Sequence, residues 1–417
     1  MKSYFYLLIV LTIGLYSCEK DILEPIDETS IVDVTIEDTS DFNPIEYETV
    51  DPFLSTPASG SMKTVNVVVI NYIPTKDQGK TLDQTTFPFA GDNGVDMNLP
   101  VSEYKKWLLS TTVRVKHGVE QSTRFRGYKN SNDPYIGIRV LEYINVYEMP
   151  KIERSMSASL FAQDSTEGYY PDYHKLFEMI KLDSLVNNHD VKEVWFNRKS
   201  LAVPESNMSS PVSGDVSNPY YGSSQYGFTN QIVPDDLPIY DKTYVVYSHW
   251  MHNSYEKILH VRGHQMEVQL DKLEGPLFLW GKFKGFTYTS NGRERGCGTT
   301  HFPVNAGGSY QYNNTNTIMS DIEDWKPDNT GQQSLINKDN WVRNYTINYN
   351  FPTSSYKSEV SRNTIGNDGE GGWMIYWFQS FPGHNNGLEF EGHTLRNWWD
   401  LLYEWDYYYQ YDKKLYN

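Results

Sequence analysis

The chain has 417 residues, 39% of them hydrophobic, and a formal net charge of −17 at pH 7. This length is enough for one large hydrophobic core or two closely packed ones. The acidic balance, with no basic patch or arginine-rich helix, argues against nucleic acid as a partner.

The first 17 residues have the features of a bacterial lipoprotein signal peptide. Lys2 supplies a positive start, an apolar run ends at Leu15, and Ser17 precedes Cys18. The run is too short to span a bilayer comfortably, and lipoprotein signal peptidase cleaves between a small residue and a cysteine. We therefore predict residues 1–17 as the signal peptide and Cys18 as the lipidated first residue of the mature chain. The alternative is an ordinary signal peptide that contains a cysteine.

Residues 18–62 are predicted to form an acidic, disordered tether. Glu19-Lys20-Asp21 resembles the short signal that sends Bacteroidetes lipoproteins to the outer face of the outer membrane. Between residues 19 and 60 there are 12 acidic residues and one lysine, and prolines interrupt the segment. Such a segment repels itself and has little apolar surface to bury. The sequence thus predicts an outward-facing outer-membrane lipoprotein, with a single globular domain in residues 63–417.

The globular part is predicted to be α/β, with a mixed, largely buried central sheet, flanking helices and a loop-rich C-terminal third. Nearly continuous β-branched runs suit strands that are covered on both faces, and helical spacing of apolar residues separates several of them. The segment 199–238 is rich in Pro, Ser, Gly and Asn, which predicts a loop. Strands are predicted at 65–72, 111–118, 136–147, 191–196 and 243–247, and helices at 101–109, 173–186, 255–273 and 395–409.

Three polar residues of the helix predicted over 255–273 share one face. His260, His264 and Glu267 are separated by four and then three residues, so their side chains could converge on one cation. The order differs from the His-Glu-x-x-His of zinc peptidases, because here the carboxylate follows the second histidine. The structural alternative is a buried histidine paired with a carboxylate that fixes the helix against the sheet.

Two further polar clusters follow this helix. Glycines flank Cys297, which is expected to be a small buried residue, and His301 precedes a proline, so a tight loop with functional side chains is predicted. The carboxylates of Asp321, Glu323 and Asp324 could bind calcium or cap a turn.

Five motifs occur in one order along the chain: Glu193-Val194-Trp195, Glu205-Ser206-Asn207-Met208, His264-Gln265-Met266-Glu267, Cys297-Gly298-Thr299-Thr300-His301-Phe302-Pro303-Val304-Asn305 and Trp398-Trp399. By these motifs, the chain from about residue 65 to residue 399 resembles a family of secreted bacterial and fungal proteins of unknown activity. The resemblance implies no particular reaction. Where the relatives tend to carry a carboxylate one turn before the helical histidine, this chain has His260.

Two functions compete at this point. The first is a hydrolase acting on an extracellular polymer, a polysaccharide in preference to a peptide, in which one divalent metal, Zn or Ca, activates water or a carboxylate pair acts instead. The second is a non-catalytic glycan-binding lipoprotein of a nutrient-uptake system, whose aromatic rings stack on sugars; a structural or adhesion protein is a third reading. For the hydrolase, the metal ligands are His260, His264 and His301, the catalytic residues are Glu205 and Glu267, and the substrate contacts are Asn207, Asn305, Tyr310, Tyr312 and Trp398.

Overall fold

The computed structural model describes residues 43–75, 77, 79, 81–83, 100–153, 169–198, 206–213, 237–250, 255–285, 292, 295–354 and 363–417. The helices in these parts are α1 Pro52–Ser55, α2 Val101–Ser122, α3 Tyr173–Met179, α4 Leu182–His189, α5 Tyr255–Leu273, α6 Leu279–Lys284, α7 Gly369–Gln379, α8 Trp398–Tyr403 and α9 Trp405–Gln410. The strands are β1 Ile45–Glu48, β2 Lys63–Tyr72, β3 Ile136–Val146, β4 Lys151–Glu153, β5 Tyr169–Pro171, β6 Val191–Arg198, β7 Ser206–Ser209, β8 Tyr244–Trp250, β9 Ile318–Ser320, β10 Ser334–Ile336, β11 Tyr345–Thr346, β12 Thr364–Ile365, β13 Glu389–Phe390 and β14 His393–Thr394.

The central sheet has six strands in the order β1-β3-β2-β6-β8-β7. The four inner strands are parallel, and the two edge strands β1 and β7 run antiparallel to their neighbours. Helix α2 lies between β2 and β3, and α3 and α4 lie between β3 and β6, as crossovers between parallel strands require. The fold is therefore α/β with a mixed sheet, which confirms the predicted class.

Both faces of the sheet are covered, because alternate residues of each inner strand enter two different cores. Val67 and Val69 of β2 belong to the core that includes residues of α2, α5 and α7. Val68 and Ile70 face a second, smaller core with α3 and α4. This two-sided burial explains the continuous β-branched runs from which β2, β6 and β8 were predicted. Among the described residues, no helix combines the length and apolarity needed to cross a bilayer.

A line of buried polar side chains crosses the parallel strands near their carboxyl ends. His249 Nδ1 lies 2.9 Å from Asn197 Oδ1, Asn197 donates to Asn71 at 2.7 Å, Asn71 to Asn145 at 3.0 Å, and Asn145 to Glu48 at 2.6 Å. Each amide nitrogen points in the same direction along this line. The carbonyl acceptor at Asn197 therefore assigns the proton of neutral His249 to Nδ1.

The boundary predicted for the tether is wrong, because part of segment 18–62 is folded. Strand β1 pairs with β3, and Ile45 and Leu54 are buried. Lys105 neutralises the acidic side chains of β1, with contacts of 2.5 Å to Glu46 and 2.9 Å to Glu48. A local charge count could not identify this distant lysine. The described fold begins at residue 43, and Cys18 lies outside the described residues.

The strand predicted at 111–118 is also wrong, since these residues belong to helix α2. Thr112 satisfies its hydroxyl within the helix by donating to the Leu108 carbonyl at 2.8 Å, and Lys116 pairs with Glu120 at 2.5 Å, one turn on. Residues on several sides of α2 are buried. Because α2 is buried on several sides, its apolar residues do not form the one-faced pattern of a surface helix, and residues 111–118 look alternating. The β-branched residues of this segment favour a strand, but tertiary contacts override that preference.

Two other segments predicted as single helices are each divided into two helices. The segment 173–186 is divided into α3 and α4 by Lys181, whose φ of 54° is left-handed. The segment 395–409 is likewise divided into α8 and α9. Strand β7 lies within the segment predicted as loop, and α7 was not predicted at all. In contrast, α5 has the predicted bounds.

Candidate metal centre

Three histidines converge between α5 and the loop that precedes Tyr310. His260 Nε2 lies 2.9 Å from His264 Nε2 and 3.1 Å from His301 Nε2. One nitrogen from each residue lies within 4.8 Å of the other two, which is a group that could hold a metal ion. The structure thus brings together the three histidines predicted as ligands. The 2.9 and 3.1 Å separations approach the roughly 3.3 Å between imidazole nitrogens on a tetrahedral ion with bonds of about 2.0–2.1 Å.

Helix geometry and one glycine position these rings. The four-residue spacing places His260 and His264 one turn apart on α5. Between them, Gly263 allows the loop with His301 to approach the helix, since a Cβ at this position would lie 2.7 Å from Thr300 Oγ1. Glycine within a helix costs about 0.5–1 kcal/mol relative to alanine. The close approach of the loop is the physical reason for glycine here.

Glu267 lies behind His264 and contacts its other ring nitrogen. Its Oε2 is 3.3 Å from His264 Nδ1, and its Oε1 accepts the Thr300 backbone N–H at 3.0 Å. Burial by itself would raise the pKa of Glu267, but these hydrogen bonds and the neighbouring histidines hold that pKa below its usual range. The carboxylate therefore orients His264 and the loop. Its predicted role as a catalytic residue stays a prediction.

Glu370 plays the corresponding part for His260 and was missed from the sequence. It lies in the first turn of α7, with Oε1 3.0 Å from His260 Nδ1. The Tyr312 hydroxyl lies 3.2 Å from the same nitrogen and donates to the Thr300 carbonyl at 3.0 Å. No local spacing relates Glu370 to His260, 110 residues earlier, and Glu370 stands in a Gly-Glu-Gly-Gly stretch that obscures the start of α7.

Carboxylates on both Nδ1 atoms determine what the Nε2 atoms can do. When Nδ1–H of His260 and His264 donates to Glu370 and Glu267, each Nε2 presents a lone pair. Two lone pairs 2.9 Å apart repel each other unless a cation or a shared proton lies between them. Burial, followed by the proximity of His264 and His260, lowers the pKa of His301 to about 3. Its imidazole is thus neutral at pH 7 and able to bind a metal.

Tyr310 covers the solvent side of the three histidines. Its hydroxyl lies 2.9 Å from His301 Nε2, and its side chain is 56% exposed. The same residue borders an open surface depression together with Gly307, Gln311, Asn313, Asn314 and Asn316. The three histidines are therefore adjacent to solvent through Tyr310.

Several residues predicted to contact substrate are in fact structural. Trp398 is fully buried against Trp280 and Phe283, so its ring has no face for a sugar. Asn305 is also fully buried, and its amide holds the following loop through the carbonyls of residues 314 and 316. These assignments are wrong because sequence alone does not show which aromatic or amide side chains enter the core.

The other predicted contacts have different positions. Asn207 is a buried residue of edge strand β7. Tyr312 is buried and supports His260, while Tyr310 is exposed. Glu205 lies outside the described residues.

The second acidic cluster and the cysteine are engaged within the fold. Asp321 accepts from Gly296 N at 2.9 Å and from Arg295 at 3.1 Å. Asp324 pairs with Arg126 at 3.2 Å. Cys297 is fully buried, and burial raises the pKa of its thiol well above the usual value. These contacts argue against a calcium site and a thiol nucleophile in this loop.

The opposite side of α5 is fixed to the sheet by a buried ion pair. Arg262 binds Glu193 of β6 through both oxygens, one of them at 2.6 Å. Tyr403 and Trp195 donate to the same carboxylate at 3.0 and 2.7 Å. The guanidinium also lies 4.4 Å from the centre of the Tyr247 ring. This network locks the rotation of α5 and hence the direction of its histidines.

Comparisons of the chain with family models, curated proteins and solved structures gave no match.

Proposed function

We propose that the protein is a zinc-dependent hydrolase with a single tris-histidine metal centre formed by His260, His264 and His301. The observation that carries the proposal is the convergence of three Nε2 atoms, two of them belonging to rings whose Nδ1 atoms face Glu370 and Glu267. Carboxylate–histidine–metal arrangements of this kind orient ligands in zinc sites.

The ligand chemistry favours zinc over calcium. Calcium takes six to eight oxygen ligands, whereas three imidazole nitrogens suit zinc and related transition metals. Three neutral imidazoles also leave the full positive charge on the ion. Such a centre lowers the pKa of a bound water to about 7, so that hydroxide is available at neutral pH without a protein nucleophile.

The surroundings of the centre support an extended, uncharged substrate. The depression beside Tyr310 is open and is bordered mainly by amide side chains, which can donate and accept hydrogen bonds with hydroxyl groups. An open depression accommodates a polymer better than an enclosed cavity does. We therefore retain an extracellular polysaccharide, in preference to a peptide, as the proposed substrate. In the alternative function, glycan binding without catalysis, Trp398 cannot stack on a sugar because its side chain is buried.

We also propose that lipid at Cys18 holds the protein in the outer membrane, facing outward. The support is the signal peptide pattern before Cys18 and the acidic residues after it. Labelling of cells with a palmitate analogue tests this proposal. Full-length protein should be labelled and the Cys18→Ser variant should not; equal labelling of both would refute lipidation at this residue.

Metal analysis of the purified full chain tests the centre. We expect about one equivalent of zinc, lost on dialysis against a chelator and restored by added zinc. His264→Ala should abolish stoichiometric binding, while His117→Ala, which removes a half-buried histidine of α2, should retain it. A wild-type protein that binds no metal under these conditions would overturn the proposal.

Activity is then tested on the zinc-loaded, zinc-free and zinc-restored protein with a panel of polysaccharides and proteins. Release of reducing ends by the loaded and restored forms alone would support the hydrolase. Release of new amino termini would instead identify a peptide substrate. Retention of a polysaccharide without any product from the loaded protein would favour the capture function.

A further inference from the structure

The Tyr310 hydroxyl and the predicted metal compete for the same ring nitrogen. This hydroxyl lies 2.9 Å from His301 Nε2, the atom that faces the other two histidines. An imidazole nitrogen carries either one proton or one lone pair, so it cannot bind a metal and retain this hydrogen bond. When His301 binds a metal, Tyr310 must find a different partner.

The position of the hydroxyl identifies that partner. Its distance from His301 Nε2 resembles the 2.9 and 3.1 Å separations among the histidine nitrogens. The Tyr310 ring lies 4.3 Å from the His301 ring and 5.9 Å from the His260 ring, centre to centre. The oxygen therefore lies at the open side of the group, and its distance from His301 Nε2 is close to that between two ligand atoms of a tetrahedral ion.

We propose that the Tyr310 oxygen is a fourth, exchangeable ligand of the metal, an inference that rests on the proposed metal centre. On binding, the hydroxyl releases its proton to solvent and its oxygen forms a bond to the metal. Substrate or water then replaces the phenolate by taking up that position, and the phenolate recovers a proton. Tyr310 thus closes the centre in the resting protein and opens it for reaction.

The contrast with Tyr312 explains why one tyrosine can exchange and the other cannot. Tyr312 is buried and contacts His260 on Nδ1, the ring nitrogen remote from the other histidines. Tyr310 is exposed on a loop, with an unusual left-handed φ of 61°, and its backbone N–H donates to the His301 carbonyl at 2.8 Å. A bulky residue in this conformation is strained, and such strain is often retained at functional sites. The exposed side chain of Tyr310 can therefore leave its position, whereas the buried side chain of Tyr312 cannot.

Copper loading of the full chain tests the assignment. Cu²⁺ binds imidazole sites tightly, and a phenolate bound to it gives a visible charge-transfer absorption that imidazoles alone do not give. We expect one equivalent of Cu²⁺ and this band in the wild type. Tyr310→Phe should lose the band yet still bind one equivalent of Cu²⁺. Its dissociation constant for zinc should rise about tenfold, which is the low end of the effect of residues that support metal ligands.

Tyr411→Phe is the matched control, because it removes an exposed phenolic hydroxyl in the segment that follows α9. It should retain the band. A wild type that binds one equivalent of Cu²⁺ without the band, or a band that survives in Tyr310→Phe, would overturn the tyrosine ligand and leave the metal centre intact. A wild type that binds no metal would overturn both. Circular dichroism of each variant establishes that the fold is retained.

Discussion

His264 and Glu267 lie one turn apart on α5, with 3.3 Å between Nδ1 of the ring and Oε2 of the carboxylate. The same carboxylate reaches the Thr300 backbone N–H, next to His301. One side chain therefore fixes a ligand of the helix and the position of the loop that supplies another. Its role is to hold the proposed metal site in shape.

Glu267→Gln should weaken zinc binding by about 10–100-fold, the range typical for residues that support metal ligands. The amide retains the size of the side chain but removes the charge that favours Nδ1–H. Glu370→Gln should act in the same way through His260. Titration against a zinc-binding dye measures both affinities. The exposed Glu389→Gln is the control, and an unchanged affinity in both site variants would contradict the support role.

Gly263→Ala should also weaken zinc binding, because the new methyl group would displace Thr300 and with it His301. The expected loss is about tenfold, as for other residues that support metal ligands. The Gly263→Ala/Thr300→Ala double variant should recover affinity, since it removes the two closest atoms, Oγ1 and Cγ2. Thr300 Oγ1 is buried without a hydrogen-bond partner, so its loss should cost little.

Gly118→Ala is a matched helical control for this prediction. A Cβ there would meet the flexible ends of two side chains, Leu259 at 3.0 Å and Ile365 at 3.6 Å, and no backbone atom among its three nearest neighbours. Its zinc affinity should remain that of the wild type. Failure of the double variant to recover affinity would argue against the steric explanation.

Arg262→Met should destabilise the fold by about 3–5 kcal/mol, because it leaves Glu193 charged, buried and without its main partner. Replacing both residues, as Arg262→Met/Glu193→Leu, should recover much of this loss, since the buried charge is then absent. Urea unfolding followed by tryptophan fluorescence measures the free energies. A loss below about 1 kcal/mol in the single variant would contradict the anchoring role of this pair.

His249 should make the protein less stable in acid. Burial, followed by the proximity of Arg262, lowers the pKa of His249 to about 3, while an unfolded histidine has a pKa near 6.5. Between these values the unfolded chain binds the extra proton, so the free energy of unfolding falls as pH decreases from about 6.5 to 3, by up to about 1.4 kcal/mol per pH unit.

His249→Gln removes this proton uptake and should flatten the pH dependence by about one proton. Unfolding of metal-free protein at several pH values measures the slope. His189→Gln, on the surface, is the control for loss of an imidazole. A slope in His249→Gln equal to that of the wild type would contradict the prediction.

The sequence by itself determined the parts of this protein that depend on local pattern. The β-branched runs of β2, β6 and β8 indicated a sheet covered on both sides, and the bounds of α5 followed from its spacing. His260 and His264 were found because a helical repeat places residues four apart on one face.

Tertiary structure decided the rest, because the remaining contacts join residues that are distant in the chain. Glu370 reaches His260 across 110 positions, and Lys105 draws the acidic strand β1 into the fold. Trp398 is buried and Tyr310 is exposed, and this difference likewise depends on which side chains the packed helices enclose. A sequence pattern shows which residues share one face of a helix or strand. Which other residues contact that face is determined only when the whole core has formed.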